Sequence, residues 1–588
     1  MDAPQVAELP LFSVLKRWTA QHEAHFVGVF VLMMMLWPKA WSRDVVLGHS
    51  RSETANHLWM FWRALDGRSP LTNLPDGLPI PLMDPINLPI FAIGAVVSPG
   101  VGWLLLRAFS IGLALVGGYL LCRRWTEPRA AMVGMVAIGA SPIQGSLQEN
   151  GLTELWTIGW FCLHLAFLVD VARGAGWRRG LVAGALLGCT ALSGWYMATF
   201  ALMFEIPVVV WLWVRHRRWM LVAQGGIGAV MVLPSLWNYL QVRTFWTGRL
   251  AQHTAEVPPP IEDWESVNRL GTDLVNLFTP QIEPVEPARL FYLGWVTLAL
   301  AVIGLARRTR TSLPWLAAAV AFVAVALGPW PSVGGTRVGV VGPAWWLVEL
   351  FPILQGISHW ERAALFVVPP LAVLVAFGIQ AAPRMQKVAW VWVVLLLVDG
   401  LCASGAHWPR VGFPLVLPPG FGATQGNAGL IQVPFDNHVA RTPGDVARPY
   451  DLWQILHERP VSENYEGVDS LLVNSRLIAA IHYACGTLET LPEDLLPNID
   501  VLRAGAPRGT DLRLELRQLR MWGYDEIILH RERCPQHASA LKVLKDTLGR
   551  PTGRAGADLA WVLPTGEAEV VPRDARRGRI PSASSRSK

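Results

Sequence analysis

The sequence predicts a polytopic α-helical membrane protein followed by a C-terminal extracytoplasmic α/β domain. Of the 588 residues, 52% are hydrophobic and only 16% are Asp, Glu, Lys or Arg, whereas a soluble domain carries roughly 25% charged residues. Apolar runs long enough to cross a bilayer recur from Phe26 to Cys402 and then stop. This composition excludes a disordered chain, and six Cys in this length do not make a disulfide-stapled secreted scaffold.

Eleven of these runs are predicted to be transmembrane helices, because a bilayer core of roughly 30 Å needs about 20 apolar residues per helix. They span residues 24–41, 102–121, 130–144, 152–171, 181–194, 197–214, 220–240, 290–306, 313–330, 363–379 and 388–402. Polar residues precede the first run and no small-residue cleavage site follows it, which indicates an uncleaved helix rather than a signal peptide. The stretch 180–214 fits either one long helix or two short helices that turn near Ser193-Gly194-Trp195.

The positive charges behind the net charge of +6 are concentrated in short loops. Because positively charged short loops stay in the cytoplasm, five such loops and the N-terminus are predicted to be cytosolic. The Arg-rich flanks of 180–214 then favour two helices there. Since topology explains the charge, no nucleic-acid partner is expected. The basic residues of these loops are Arg123, Arg124, Arg129, Arg173, Arg178, Arg179, Arg215, Arg217, Arg218, Arg307, Arg308, Arg310, Arg384 and Lys387.

This orientation places three long connections on the outer side, residues 42–101, 241–289 and 331–362, together with everything after Cys402. Binding and catalytic residues are disproportionately found on loops held by a rigid scaffold, so the outer face is predicted to be the working face. The domain organisation that follows is a cytosolic segment 1–23, a membrane domain 24–402, an extracytoplasmic α/β domain 403–571 and a disordered basic tail 572–588.

The α/β domain is predicted from a change of pattern after Cys402. GLIQVPF at 429–435, DEIILH at 525–530 and DLAWVL at 558–563 are typical of strands. Residues 511–522 have apolar side chains at helical spacing and end at Gly523, a helix stop. Cys485 and Cys534 both fall on the oxidising side of the membrane, which predicts a disulfide between them, with two free thiols as the alternative.

The first outer loop contains a predicted short helix at 50–62 that lies along the membrane. At 100° per residue Glu53, Asn56 and His57 share one face, while Leu58, Phe61, Trp62 and Leu65 share another that suits the interface. The first face would hold an acid, an amide and an imidazole at the height of the membrane surface. The alternative is a capping box, Ser50 with Glu53 three residues later, which explains the acid without chemistry.

Further candidate residues follow in the other outer segments. Asp76 and Asp84 lie in Pro-, Gly- and Asn-rich stretches, which favours turn roles. Glu149 and Glu154 open the fourth span, either as functional partners of Glu53 or because acids are favoured at helix N-termini.

Two basic residues at 359–362 suggest a site for a phosphate headgroup. His359 and Arg362 stand at the outer end of the tenth span, and Arg binds phosphate in a fork while His can carry charge there. The alternative is that Arg362 snorkels to the interface, as is common for Arg at helix ends.

Two charges are predicted to lie inside spans. Arg107 is near the outer end of the second span, where snorkelling is again the alternative. Glu205 is in the middle of the sixth span, two residues before Pro207; it faces either a cavity or partner, or is a neutral hydrogen-bonded acid in a disturbed helix. There is no P-loop, no G-x-G-x-x-G after a strand and no H-E-x-x-H, so nucleotide-powered transport and zinc proteolysis have little support.

The order of these motifs resembles the GT-C superfamily of integral membrane glycosyltransferases, especially its bacterial members. The matching residues of the first loop are Glu53, Asn56, Trp59 and Trp62, followed by Pro75-Asp76-Gly77 and Asp84-Pro85-Ile86-Asn87. Ser141-Pro142 before the acids 149–154, Tyr292-Leu293-Gly294 and the segment 359–362 are also similar to the family. The resemblance covers residues 24–402 and the presence of a C-terminal extracytoplasmic domain.

The resemblance implies transfer of a sugar from a polyprenyl-phosphate donor to an envelope acceptor, on the outer side of a bacterial cytoplasmic membrane. It makes Glu53, in a position where the family usually has Asp, the base that deprotonates the acceptor, with Glu149 or Glu154 assisting. His359, Arg362 and Arg107 would bind the donor phosphate, with Asn56 and His57 in support and Glu205 as a further cavity acid. No cofactor motif is present, and the scheme is compatible with a divalent cation.

Two other functions are left open by the sequence. Charges within spans, Glu205 and Arg107, are also typical of a transporter or flippase for a lipid-linked substrate. A non-catalytic GT-C-like protein of envelope assembly is the second alternative. The absence of an evident internal repeat counts against a repeat-built transporter.

Overall fold

A computed structural model of the chain describes residues 10–39, 42–43, 45–48, 52–66, 84–253, 271–280, 291–352, 354, 357, 359–402, 408, 410, 412–415, 429–433, 454, 475–486 and 507–564. The Pro75-Asp76-Gly77 motif, Ser50 and the tail 572–588 lie outside these residues. The chain divides into two compact units, one formed by Met1–His57 and Pro81–Pro414 and the other by Leu58–Ile80 and Leu415–Lys588.

The first unit is built from helices, as the hydropathy pattern predicts. In chain order the first eight helices are α1 Pro10–Leu36, α2 Thr54–Asp66, α3 Leu88–Ala95, α4 Pro99–Arg123, α5 Pro128–Gly139, α6 Pro142–Glu149, α7 Ile158–Ala172 and α8 Trp177–Leu192. They continue with α9 Trp195–His216, α10 Met220–His253, α11 Trp295–Arg307, α12 Thr309–Ala326, α13 Pro343–Leu350, α14 Val368–Ala381, α15 Pro383–Lys387 and α16 Ala389–Cys402.

Short 3-10 helices and β-pairs complete this unit. The 3-10 helices are Thr153–Leu155, Val275–Leu277 and Trp360–Val367. Strand β1, Val45–Leu47, pairs antiparallel with β4, Gly412–Pro414, and β2, Ser332–Val333, forms a hairpin with β3, Thr336–Arg337. Between the helices, α4 packs against α5 and α7, α8 packs against α10, and α11 packs against α14.

Seven helical stretches within the described residues are long and apolar enough to cross a membrane. They are Pro99–Arg123, Pro128–Glu149, Thr153–Ala172, Trp195–His216, Met220–Asn238, Thr309–Ala326 and Trp360–Ala381, and three shorter apolar helices are His22–Leu36, Trp295–Arg307 and Ala389–Cys402. The protein is therefore a multi-pass helical membrane protein. Each of the eleven predicted runs contains a helix, but the count of eleven crossings and their orientation remain predictions.

Proline and glycine set several of the helix boundaries. The helix α5 ends at Gly139, and α6 begins with Pro142 after Ser141, whose hydroxyl accepts a hydrogen bond from the Gln144 amide at 3.1 Å. Pro is favoured at this first position because its missing N–H has no partner to lose there. The predicted break in 180–214 lies at Ser193 and Gly194, between α8 and α9. The first helix begins earlier than predicted, at Pro10 instead of residue 24.

The helix of the first outer loop differs from its prediction in register and in burial. It begins at Thr54, with the Glu53 carbonyl accepting the first bond from the His57 amide at 3.0 Å. Glu53 therefore precedes the helix and does not occupy the third helical position that a capping box requires. Leu58 and Phe61 are fully buried, so the prediction that these two side chains lie in the membrane interface is wrong, whereas Leu65 of the same face is 42% exposed.

The Tyr292-Leu293-Gly294 motif has a structural role at the start of α11. The Asp399 carboxylate on α16 accepts hydrogen bonds from the Tyr292 hydroxyl at 3.0 Å and from the Val296 amide at 3.0 Å. The Tyr292 oxygen in turn accepts from the Trp295 amide at 2.7 Å. These bonds satisfy amide groups at a helix N-terminus that have no intrahelical partner.

The second unit contains a four-stranded sheet in the order β5-β6-β8-β7. Its strands are β5 Gly429–Val433, β6 Tyr524–Leu529, β7 Gly553–Ala555 and β8 Asp558–Val562, and three of them lie where the sequence predicts strands. β5 and β6 are parallel and the other pairs are antiparallel. The helices are α17 Arg476–Cys485, α18 Gly509–Met521 and α19 His537–Leu548, and Cys485 is joined to Cys534 by a disulfide.

Candidate functional site

The candidate site is built around the turn that connects α6 to α7. Gly151 has φ +72°, and a Cβ atom there would lie 2.5 Å from the backbone of Thr54, so the turn and the start of α2 can touch only through glycine. Gly194, between α8 and α9, has φ +157°, and a Cβ atom there would lie 2.6 Å from Cβ of Glu154. Both glycines allow other backbone segments to close around residues 151–154.

A chain of polar contacts runs from this turn to Arg362. Nδ1 of His57 lies 2.7 Å from the Thr153 hydroxyl, and its Nε2 lies 3.5 Å from Oε2 of Glu154. The other oxygen of Glu154 accepts a hydrogen bond from the Arg362 guanidinium at 2.6 Å. Glu154 is 3% exposed, so its charge is compensated by these two groups and not by water.

Asp84 and Asn87 support the same turn from the first outer loop. Nδ2 of Asn87 donates to Oδ2 of Asp84 and to the Thr153 carbonyl, both at 3.3 Å. Burial raises the pKa of the Asp84 carboxyl well above its usual range; hydrogen bonds from Thr153 and Asn87 oppose this, and the charge of Glu154 adds to it. Asp84 is therefore part of the site's electrostatics, which its predicted turn role did not include.

Glu53 stands at the partly exposed side of the cluster. It is half-buried, and its Oε2 accepts a hydrogen bond from Nδ2 of Asn56 at 3.0 Å, as their shared face predicts. Arg362 interacts electrostatically with Glu53 as well as with Glu154 and Glu361. Of the residues that the sequence singled out, Glu154 therefore contacts Arg362 directly, while Glu53 influences it through its charge.

His359 and Tyr196 border Arg362. Nδ1 of His359 bonds to Oε1 of Glu361 at 2.8 Å, and the Arg362 guanidinium lies 4.3 Å from the centroid of the Tyr196 ring. The side chains of His359 and Arg362 are 34% and 12% exposed, whereas those of Glu361 and Glu154 are buried. Buried acids thus hold a cation whose remaining donors can reach a ligand, an arrangement suited to binding an anion next to a carboxylate.

Glu149, the other acid of the predicted pair, contacts different partners. Its Oε2 lies 3.4 Å from Nη2 of Arg107 and 3.7 Å from Nη1 of Arg410. Both arginines are fully buried, so the snorkelling alternative for Arg107 is wrong. Arg410 also donates from Nε to the Met35 carbonyl at 2.9 Å. Arg107 and Glu149 form a buried ion cluster with Arg410 and have no described contact with His359 or Arg362.

Glu205 has partners on two neighbouring helices. Its Oε2 is 2.8 Å from Nε2 of His164 on α7, and its Oε1 accepts a hydrogen bond from Gln224 on α10. Nδ1 of His164 is 2.9 Å from the Ala183 carbonyl on α8. Glu205 is therefore a hydrogen-bonded carboxyl between helices, as both interpretations of this acid allow.

The fold is similar to that of a solved arabinofuranosyltransferase. The arabinofuranosyltransferase AftD from Mycobacteria matches with a TM-score of 0.51 at 13% identity over 93% of this chain and 40% of AftD. The fold is GT-C-like. The Archaeoglobus fulgidus oligosaccharyltransferase matches with a TM-score of 0.42, at 13% identity over 95% of this chain and 76% of the other. ArnT from Cupriavidus metallidurans bound to undecaprenyl phosphate matches with a TM-score of 0.40, at 14% identity over 94% and 100%. This chain therefore spans less than half of AftD.

Comparisons of sequence find nothing comparable. No protein-family model matches the chain, and no curated protein does. The GT-C-like assignment therefore rests on the fold.

Three residues around Glu154 and Arg362 were not singled out by the sequence, namely Thr153, Tyr196 and Glu361, and neither was Arg410 of the separate Glu149 ion cluster. Glu361 lies within the segment 359–362, and Tyr196 follows the Gly194 break, so both had a local signal; Arg410 had none, because its partner Glu149 is distant in sequence. Within the described residues no group of three or more His, Cys, Asp or Glu side chains is arranged to hold a metal ion.

Proposed function

We propose that the protein is a GT-C-type glycosyltransferase that moves a sugar from a polyprenyl-phosphate donor to an envelope acceptor. The reaction takes place on the outer side of a bacterial cytoplasmic membrane, with the N-terminus in the cytoplasm and the second unit outside. The observation that carries this proposal is that Glu154 bonds to Arg362 and also contacts His57, in the first turn of the helix that follows Glu53. This brings the segment with the proposed base close to a phosphate-binding cation, and the transfer needs both.

Glu53 acts as the base in this scheme. It is half-buried and held by Asn56, so one oxygen is oriented while the carboxylate remains accessible to an incoming hydroxyl. As the acceptor oxygen bonds to the anomeric carbon, its proton passes to Glu53. Loss of a positioned general base typically lowers a rate by about 10²–10⁴-fold.

Arg362 and His359 bind the departing phosphate. The bond between the anomeric carbon and the phosphate oxygen breaks with its electron pair moving to the polyprenyl phosphate, whose charge the guanidinium offsets. Glu154 holds Arg362 at 2.6 Å and contacts His57, so its role is to orient the cation. Arg107 and Glu149 belong to a separate ion cluster in this scheme, which removes them from the donor and base roles.

A transporter is less well supported than a transferase. Its motivation was the pair of charges within spans, and both have protein partners: Glu205 bonds to His164 and Gln224, and Arg107 contacts Glu149. A non-catalytic GT-C-like protein shares the fold and is distinguished from the transferase by experiment.

The test separates donor binding from transfer. In proteoliposomes supplied with undecaprenyl-phosphate sugars and envelope extract, Glu53→Gln should lose transfer by about 10²-fold or more and retain binding of undecaprenyl phosphate. Arg362→Ala should lose that binding. Glu349→Gln, an exposed acid on α13, and Arg384→Ala, an exposed residue of α15, are the matched controls and should change neither.

The outcomes distinguish the rival functions. Undiminished transfer by Glu53→Gln would reject Glu53 as the base. Undecaprenyl phosphate binding without transfer of any supplied sugar in the parent protein would favour the non-catalytic alternative.

A further inference from the structure

Helix α18 of the second unit has two faces of different character. Its core face is apolar, with Leu512, Leu516 and Leu519 each 4% exposed or less. At 100° per residue these three leucines fall within one narrow arc. The opposite arc faces solvent, and its exposed side chains are Thr510, Asp511, Arg513, Leu514, Arg517 and Met521.

The apolar part of the outer face is unusually exposed for this unit. Leu514 is 60% exposed and Met521 is 64% exposed, and they are seven residues apart, so they lie on the same side of the helix. In the described part of 429–564, Tyr483 is the remaining large apolar side chain with comparable exposure. Exposed apolar residues that cluster on one face are typical of a surface that meets a partner.

The basic part of the face lacks compensation by acids. Arg513 and Arg517 are one helical turn apart, a spacing at which like charges destabilise a helix. Neither arginine forms an ion pair with another residue that the structure describes. Two acids lie on the same helix. Asp511 is exposed and forms no ion pair with a residue that the structure describes, and Glu515 accepts hydrogen bonds from the Leu477 amide at 2.8 Å and the Ser475 hydroxyl at 3.4 Å at the start of α17.

We propose that this face of α18 contacts the anionic phospholipid surface of the membrane in which the first unit is embedded. Arg513 and Arg517 bind headgroup phosphates, and Leu514 and Met521 enter the headgroup layer. A helix face that combines cations with exposed apolar side chains is characteristic of interfacial helices. An anionic occupant is favoured because the exposed arc holds two arginines against one carboxylate, Asp511.

The membrane is the favoured anionic partner because the second unit is tethered to it. The last apolar helix ends at Cys402 and β5 begins at Gly429, and such a short covalent connection keeps a domain at high effective concentration beside its anchor. A weak contact that would not hold a free protein on a bilayer is then sufficient. This inference concerns the second unit and is independent of the glycosyltransferase proposal.

The test uses the full chain in nanodiscs with an environment-sensitive label on Leu514→Cys. The accessible native thiols Cys189 and Cys402 are first replaced by Ser, and Ser539→Cys on α19, another exposed position of the second unit, is the matched control. In bilayers that contain phosphatidylglycerol, nitroxide-labelled lipid should quench the label at 514 and not the one at 539. Arg513→Gln with Arg517→Gln, or replacement of phosphatidylglycerol by phosphatidylcholine, should abolish most of that quenching.

Three results would overturn the proposal. In the first, aqueous iodide quenches the label at 514 in phosphatidylglycerol bilayers, and nitroxide-labelled lipid does not. The second is lipid quenching that is equal with and without the two arginines. The third is protection from both quenchers, which would assign the face to a protein partner. A label on Met521→Cys tests the same face at a second position and should show the same lipid quenching, so that a local defect at 514 is recognised.

Discussion

The side chain of Arg362 is held by acids that lie far apart in the sequence. Its guanidinium bonds to Glu154, which is 208 residues away in sequence, and also interacts electrostatically with Glu53 and Glu361. The surrounding carboxylates lower the net positive charge of the cluster, although the guanidinium itself stays charged. A phosphate that binds Arg362 therefore competes with those acids. Protonation of one of the acids favours phosphate binding, which gives the neighbouring carboxyl Asp84 a specific electrostatic importance.

Asp84 should make the stability of the protein depend on pH in an unusual direction. Burial raises its pKa in the folded state, so above the ordinary Asp pKa of about 4 the folded protein holds a proton that the unfolded chain has released. The free energy of unfolding therefore falls as pH rises toward the folded pKa, by about 1.4 kcal/mol for each unit of the shift. Asp84→Asn should remove this slope and be more stable than the parent at neutral pH.

Thermal unfolding in detergent between about pH 4 and pH 8 measures this slope. Asp273→Asn is a control in which the expected change in stability at neutral pH has the opposite sign. Burial raises the pKa of Asp273, but hydrogen bonds from the Gly335, Val275 and Gly334 amides outweigh it and leave the pKa below its usual value. That carboxylate stabilises the fold above the unfolded pKa, so its replacement should be destabilising at neutral pH. A parent slope that survives in Asp84→Asn would contradict the assignment.

At the scale of elements, the sequence predicts what is local. Helix positions follow from runs of apolar residues, and the break at Gly194 follows from Arg-rich flanks that require an even number of crossings. The burial of Leu58 and Phe61 could not be predicted, because an exposed interfacial face and a buried face have the same periodicity. The pairing of Glu149 with Arg410 could not be predicted either, since the two residues are far apart in sequence and no local pattern links them.

Glu149 is expected to hold elements together and not to take part in the reaction. It sits at the end of α6 between Arg107 of α4 and Arg410. Glu149→Gln leaves two fully buried guanidinium groups without a counter-ion, a change that typically costs about 3–5 kcal/mol. Thermal unfolding should show a large loss of stability, which Glu149→Asp restores in part. Normal stability with abolished sugar transfer would instead make Glu149 catalytic.

Glu205 is expected to join α9 to α7 and α10. Glu205→Leu leaves His164 and Gln224 buried without their shared partner, at about 1–3 kcal/mol for each unsatisfied group. Glu205→Gln keeps a hydrogen-bonding side chain and should be close to the parent in thermal stability and in sugar transfer. Loss of lipid-linked substrate movement across proteoliposomes in the Gln variant would support the transporter instead.

For the whole molecule, the apolar excess and the positive charge have different origins. The apolar residues belong to the helices between α1 and α16, while basic residues gather around alternate helix connections. One example is Arg173 at the end of α7 with Arg178 and Arg179 in the first turn of α8. A site at the opposite ends of these helices would be reached only from the other side of the membrane. Orientation therefore decides which pool of donor lipid and acceptor the candidate site can use.

Cysteine labelling of intact cells tests this orientation directly. Gly176→Cys places a thiol in the basic α7–α8 connection, where a Cβ atom meets nothing within 4 Å, and Thr336→Cys places one on the exposed β2–β3 hairpin. With Cys189 and Cys402 replaced by Ser, a membrane-impermeant maleimide should label Thr336→Cys in intact cells and Gly176→Cys only after permeabilisation, because basic loops remain cytoplasmic. The reverse pattern would move the Arg362 cluster to the cytoplasmic side, where an extracytoplasmic transfer reaction has no access to it.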